Sequence, residues 1–80
     1  MYFVYLLRGE KDNTFYVGST YDLKKRLKEH NQGKTKSIKH KLPMKLIYFE
    51  AYANKKLACK RELELKRNSF RKKELLDRFK

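Results

Sequence analysis

Residues 15–30 read FYVGSTYDLKKRLKEH, and the change of period inside this stretch sets the architecture. TFYVG (14–18) is a short β-branched and aromatic run ending in glycine, which reads as a strand. From Thr20 onward the spacing becomes helical, with Leu23, Arg26, Leu27 and His30 at i, i+3, i+4 and i+7 on one stripe. Thr20 or Asp22 can cap the start, and Asn31 to Gly33 can end it. The leucines are expected to hold this helix to a sheet, with Arg26 and His30 one turn apart along the same edge. Gly18 is expected to end the strand. Its missing Cβ permits close approach of a phosphate backbone, and a simple turn is the competing reading.

Working outward, MYFVYLL (1–7) is a continuous apolar run, and the polar link RGEKDN (8–13) joins it to the next strand as an antiparallel hairpin. Phe3, Tyr5 and Leu7 point one way and Tyr2, Val4 and Leu6 the other, so both faces are apolar and the first strand reads as central and covered twice. KTKSIKHKLP (34–43) lacks periodicity and reads as a basic loop. MKLIYFEAY (44–52) is a third strand, with Met44, Leu46, Tyr48 and Glu50 on one face and Ile47 and Phe49 on the other; Pro43 is acceptable at its beginning. Asn54 caps the helix KKLACKRELELKRN (55–68), whose packed face is Leu57, Ala58, Arg61 and Leu65, with Glu62 at the margin. Ser69 restarts a short helix over 70–79, with Phe70, Leu75, Leu76 and Phe79 as candidates for burial. The expected fold is α+β: a small three-stranded antiparallel sheet flanked by helices, in the order β-β-α-β-α-α, as one domain over 1–80.

Charge narrows the function. The 80 residues hold 22 Lys+Arg against 9 Asp+Glu, a net charge of +13, which favours a polyanionic partner and above all nucleic acid. Arg8 and Lys11 balance Glu10 and Asp12 in residues 1–20, so the whole excess falls on residues 21–80. Cys59 is the sole cysteine, which excludes an intrachain disulfide and a thiolate zinc cluster and suits a reducing compartment. No run approaches the roughly 18 apolar residues of a membrane span, so no membrane insertion and a cytoplasmic location are expected.

Tyr5 in the first strand, Tyr16-Val17-Gly18 in the second, Arg26 and His30 on one helix, and Glu62 within KREL (60–63) on a later one form a specific combination. In this combination the chain resembles the GIY-YIG nuclease domain, and most closely its small stand-alone bacterial members. The first signature here reads Val4-Tyr5-Leu6 and keeps only the tyrosine; the second keeps tyrosine and glycine. The resemblance implies a metal-dependent phosphodiesterase fold whose central sheet carries the two tyrosines, with the arginine and a metal-binding glutamate on flanking helices. It implies an endonuclease cutting DNA, with RNA possible, in DNA repair or processing. Family nucleases commonly join this domain to a separate nucleic-acid-binding module, so a protein partner that supplies targeting is a further expectation. The alternative is a nucleic-acid-binding module with little or no catalysis.

The residue chemistry suits these roles. Glu62 is a hard oxygen ligand for Mg²⁺ or Mn²⁺, and magnesium commonly keeps several waters beside one or two carboxylates and substrate oxygens. Arg26 offers a donor fork for two phosphate oxygens, with Gly18 and Lys66 as further substrate contacts. His30 can donate to a phosphate or polarise water. Tyr5 and Tyr16 are expected to place or activate the nucleophilic water, although a phenol needs strong help to act as a base at neutral pH.

Overall fold

The computed structural model describes residues 1–11, 14–34 and 43–79. The strands are β1 (Tyr2–Gly9), β2 (Phe15–Thr20) and β3 (Met44–Tyr52), and the helices are α1 (Leu23–Asn31), α2 (Lys55–Arg67) and α3 (Ser69–Leu76), followed by a 3-10 turn at Asp77–Phe79. The expected element order is therefore observed. The sheet runs β2-β1-β3 and is antiparallel throughout, so β1 is central as its two apolar faces require. The basic loop expected over 34–43 falls, for residues 35–42, outside the described residues.

Two apolar layers flank the sheet. On one face Tyr5, Leu7 and Met44 pack with Tyr16, Leu23, Leu27 and Leu46 beneath α1. On the other, Val4, Leu6 and Val17 pack with Ala58, Leu65 and Leu75 of α2 and α3. Asp22 is the cap of α1, accepting from the Lys25 backbone N–H at 3.0 Å, while Thr20 Oγ1 accepts from the Asp22 N–H at 3.1 Å. Asn54 caps α2 through the Leu57 N–H, and Asn68 ends α2 and caps α3 through the Arg71 N–H. The Asn31 side chain exchanges two hydrogen bonds with the Met44 backbone, tying the end of α1 to the start of β3.

Several expectations are corrected. β1 runs two residues further than its apolar run, because Gly9 and Arg8 still pair with β3. β2 continues past Gly18 to Thr20. A register shift opposite Leu6/Leu7 leaves Leu46 paired with Leu7 and Tyr48 with Leu6. This irregularity breaks the alternation of β3: Met44 and Leu46 face α1, whereas Tyr48 joins the α2 and α3 side together with Ile47. Leu57 and Phe70 are not core residues; they are 46% and 68% exposed.

Glu50, unremarkable in the sequence, anchors α2. Tyr48 and Tyr52 each donate a hydroxyl to its carboxylate at 2.6 Å, and Arg61 donates through Nε at 2.9 Å and Nη2 at 3.1 Å. Arg61 also reaches Glu64 at 2.6 Å. Burial alone would push the Glu50 carboxyl up, but these donors and the Arg61 charge outweigh it and hold it below its ordinary 4.5. Burial and the Glu50 carboxylate together push the Tyr52 phenol up to about 12. Glu50→Ala leaves Arg61 without its main partner, and is expected to destabilise the fold by about 1–2 kcal/mol, moderated by the partial exposure of both groups. Because the folded pKa is lowered, the contribution is complete above the ordinary value and lost as pH falls through the folded one. Denaturant melts at neutral and acid pH check this: the gap between wild type and Glu50→Ala should narrow on acidification.

Candidate active site

The site forms along β2, the edge strand that packs against α2 and leads directly into α1. Tyr5 on β1 pairs with Gly18 on β2, so the tyrosine side chain lies over the one residue beside it that has no side chain. An alanine Cβ at Gly18 would lie 2.5 Å from the Tyr5 Cζ and 3.1 Å from its Cε1. The space that glycine leaves is thus filled by the phenol of its own cross-strand partner. Neither sequence reading of Gly18 anticipates this, because the pairing of Tyr5 with Gly18 depends on the hairpin register.

The Tyr5 hydroxyl is bonded to His30 Nε2 at 2.7 Å, and the Arg26 guanidinium is near enough to it to favour the ionised phenol. Tyr5 is only 3% exposed, and burial pushes its phenol up to about 12 despite the nearby Arg26. His30, on the same stripe as Leu23 and Leu27, is fully buried. Burial first, and then the Arg26 charge, hold its imidazole below the usual 6.5, so it is neutral at pH 7. Tyr16 completes an aromatic cluster, its ring centroid 5.0 Å from His30 and 6.4 Å from Tyr5. Arg26 also approaches Glu29 at 3.6 Å.

Glu62 arrives from the opposite face. It projects from α2 toward the β2 edge, where Ser19 Oγ donates to Oε1 at 2.5 Å and Lys66 Nζ donates to Oε2 at 2.7 Å. Burial favours the neutral acid, but the Lys66 and Ser19 hydrogen bonds and the Lys66 charge outweigh it and hold the carboxyl below its ordinary value. Lys66 Nζ in turn lies 5.7 Å from the Tyr16 ring centroid. The Glu62 charge is felt at Tyr5, where it raises the phenol. The edge strand therefore brings Glu62 and Lys66 to the margin of the cluster formed by Tyr5, Tyr16, Arg26 and His30. Ser19, missed in the sequence, joins the two halves; its place two residues beyond Val17 on the α2 side is the signal that could have found it. Lys66 is bonded to Glu62 in this arrangement.

The pH response of His30 can be checked apart from activity. Its folded pKa is lowered, so the unfolded chain takes up the proton first, and stability is lost as pH falls from the ordinary 6.5 through the folded value. The melting temperature should drop as pH falls through the ordinary 6.5 and below it. In His30→Gln, which does not titrate but faces the same Tyr5, Tyr16, Arg26 and Glu29, that part of the slope should vanish.

Among the described residues, no helix is long and apolar enough to cross a membrane. The chain is 41% identical over 75 residues to the UPF0213 protein YazA of Bacillus subtilis (strain 168), covering 92% of this chain and 75% of that protein. It is 42% identical over 65 residues to the UPF0213 protein SpyM50708 of Streptococcus pyogenes serotype M5 (strain Manfredo), covering 80% and 71% respectively. The solution NMR structure of the UPF0213 protein BH0048 from Bacillus halodurans superposes with a TM-score of 0.57 at 38% identity, over 100% of this chain and 86% of that one. Residues 1–74 match the GIY-YIG catalytic domain. With that match over most of its length and these relatives, the chain belongs to the GIY-YIG catalytic domain family.

Proposed function

We propose that the protein is a divalent-metal-dependent endonuclease of the cytoplasm that hydrolyses phosphodiester bonds in DNA, with weak specificity or selectivity for structure. The observation that carries this reading is the Glu62 carboxylate, held by Ser19 and Lys66 at the β2 edge where Lys66 also meets the Tyr16 ring. The net charge of +13 supports a polyanionic substrate.

The donor set fits Mg²⁺ or Mn²⁺ in one respect that can be read directly. Glu62 offers a hard, partly exposed carboxylate whose Oε2 already faces a cation, the Lys66 ammonium. Among the described residues no three His, Cys, Asp or Glu side chains gather, so the remaining ligands would be waters and phosphate oxygens, as magnesium commonly accepts. When bound, the ion supplies positive charge to the phosphoryl oxygens and acidifies a coordinated water.

The chain's own residues supply the rest. A phenol with a pKa of about 12 costs about 7 kcal/mol to ionise at pH 7, so Tyr5 does not wait as a free phenolate. Neutral His30 gives the proton a destination: Tyr5 passes its proton to Nε2 as it takes one from the attacking water, so the phenol itself stays neutral and Arg26 is left to the phosphate. The water oxygen bonds to phosphorus, the bond to the leaving oxygen breaks, that oxygen takes a proton from solvent, and the imidazolium releases its own through Tyr5 to solvent, which restores both groups. His30, being buried, acts through Tyr5. Arg26 has five N–H donors, more than Tyr5 and Glu29 occupy, which leaves some for the phosphate. Tyr16 packs edge to face on the imidazole beside Tyr5, and Lys66 approaches its ring.

The purified protein, incubated with branched, nicked, duplex and single-stranded DNA and with RNA, should cleave DNA only when Mg²⁺ or Mn²⁺ is added. Equal cleavage by wild type and Glu62→Ala would reject the assignment. The Lys66 ammonium on Glu62 favours a second reading, a binding module with little turnover, in which affinity falls steeply with salt and no metal produces cleavage. A nuclease that depends on a separate protein for targeting would instead show slow cleavage of every DNA.

A further inference from the structure

A cleft of about 360 Å³ opens where β2 gives way to α1, lined by Tyr2, Ser19, Thr20, Tyr21, Arg26, Lys55 and Cys59. It touches both halves of the site: Arg26 lies near the Tyr5 hydroxyl, and Ser19 is bonded to Glu62. Its charged lining residues are Arg26 from α1 and Lys55 from α2, both cationic. Tyr2 and Tyr21 meet edge to face in its lining, centroids 6.3 Å apart at 65°, and Tyr21 remains 65% exposed. Tyr21 plays no part in either core layer. Among the described residues it is one of the two most exposed aromatic side chains, and it shares the cleft lining with Arg26 and Lys55. A volume of this size is at the low end of small-ligand sites, suited to one nucleotide rather than to a length of duplex.

We propose that this cleft is a nucleotide subsite, which receives the nucleotide adjoining the scissile phosphodiester, its phosphate between Arg26 and Lys55 and its base stacked on Tyr21. The inference rests on the nuclease reading for the position of the cut and goes beyond it by assigning Tyr21 and Lys55. Stacking needs an aromatic face and not a hydroxyl, and every base has a π face, so the contact adds affinity at one nucleotide without choosing its identity. Lys55 contributes a screened phosphate contact.

The test uses the full chain and a single-stranded oligonucleotide of mixed sequence, in which one nucleotide at a time is replaced by an abasic residue. Fluorescence anisotropy measures binding without requiring turnover, and cleavage gives KM and kcat. Tyr21→Ala should weaken binding and raise KM on the order of ten-fold with kcat nearly unchanged, and Tyr21→Phe should behave as wild type. An abasic residue at one position beside the cut should cost wild type a similar factor and cost Tyr21→Ala nothing further. Lys55→Ala should lower the salt dependence by about one phosphate contact. Binding by Tyr21→Ala equal to wild type, or an abasic penalty that survives in that variant, overturns the subsite. If wild type cleaves nothing, the nuclease reading fails, while the anisotropy comparison still decides whether Tyr21 stacks on a base.

Discussion

Glu62→Gln is expected to lose cleavage on the order of 10³-fold while keeping the fold and most of its affinity for DNA. The amide preserves size and can still accept from Ser19, but it removes the charge that Lys66 now neutralises and that a divalent ion would need. The structural cost should stay below about 1 kcal/mol, because Lys66 is substantially exposed and can return to water. The comparison is made with single-turnover cleavage, thermal melting and anisotropy on the same preparation. Undiminished cleavage would take Glu62 out of the chemistry, and a collapse of the melting temperature would give it a structural role instead.

Gly18→Ala carries the second large effect, and it separates three accounts of that glycine. The new Cβ would overlap the Tyr5 ring, which cannot yield easily because it is buried, bonded to His30 and packed on Tyr16. Overpacking of this kind is expected to cost about 3 kcal/mol, or roughly 10–20 °C in melting temperature for a domain of this size, and to displace the Tyr5 hydroxyl. Cleavage should fall with stability. In a Tyr5→Val background the same glycine substitution should cost far less stability, since the overlapping atoms are gone, and this coupling identifies the steric partner. A turn requiring glycine would give the same loss in both backgrounds, and a role confined to substrate approach would leave melting unchanged in both.

Much of the fold was legible because it rests on local period. The change from FYVGST to DLKKRLKEH, the doubly apolar β1, and the Asp22 and Asn54 caps are all written within a few residues of where they act. What required register was hidden. The irregularity in β3 turns Met44 and Leu46 to one face and Tyr48 to the other, and nothing in MKLIYFEAY announces it. That same register gathers Tyr48 and Tyr52 on Glu50, where α2 adds Arg61, so a residue that reads as one strand position among nine becomes the anchor of the helix bearing Glu62. Leu57 and Phe70 were misplaced for a related reason: α2 and α3 are short and strongly charged, and their apolar residues exceed what the sheet face can cover.

In the site, the residues picked out by resemblance are close in space, but their relations were not visible. The burial of His30 comes from the stripe it shares with Leu23 and Leu27, which are under the sheet, and that burial makes it a partner of Tyr5 rather than a solvent group. Lys66 was expected on the substrate and is found on Glu62, one helical turn away, where α2 meets the sheet edge.

A crystal structure of the chain with Mn²⁺ and an uncleavable phosphorothioate oligonucleotide tests the assembly across β2 most directly. The anomalous signal of manganese should lie within direct coordination of a Glu62 oxygen, with a phosphate held by Arg26 and the Tyr5 hydroxyl facing the attacked phosphorus. Manganese bound away from Glu62, or a phosphate held on the outer surface of α2 out of reach of Tyr5 and Arg26, would contradict the account.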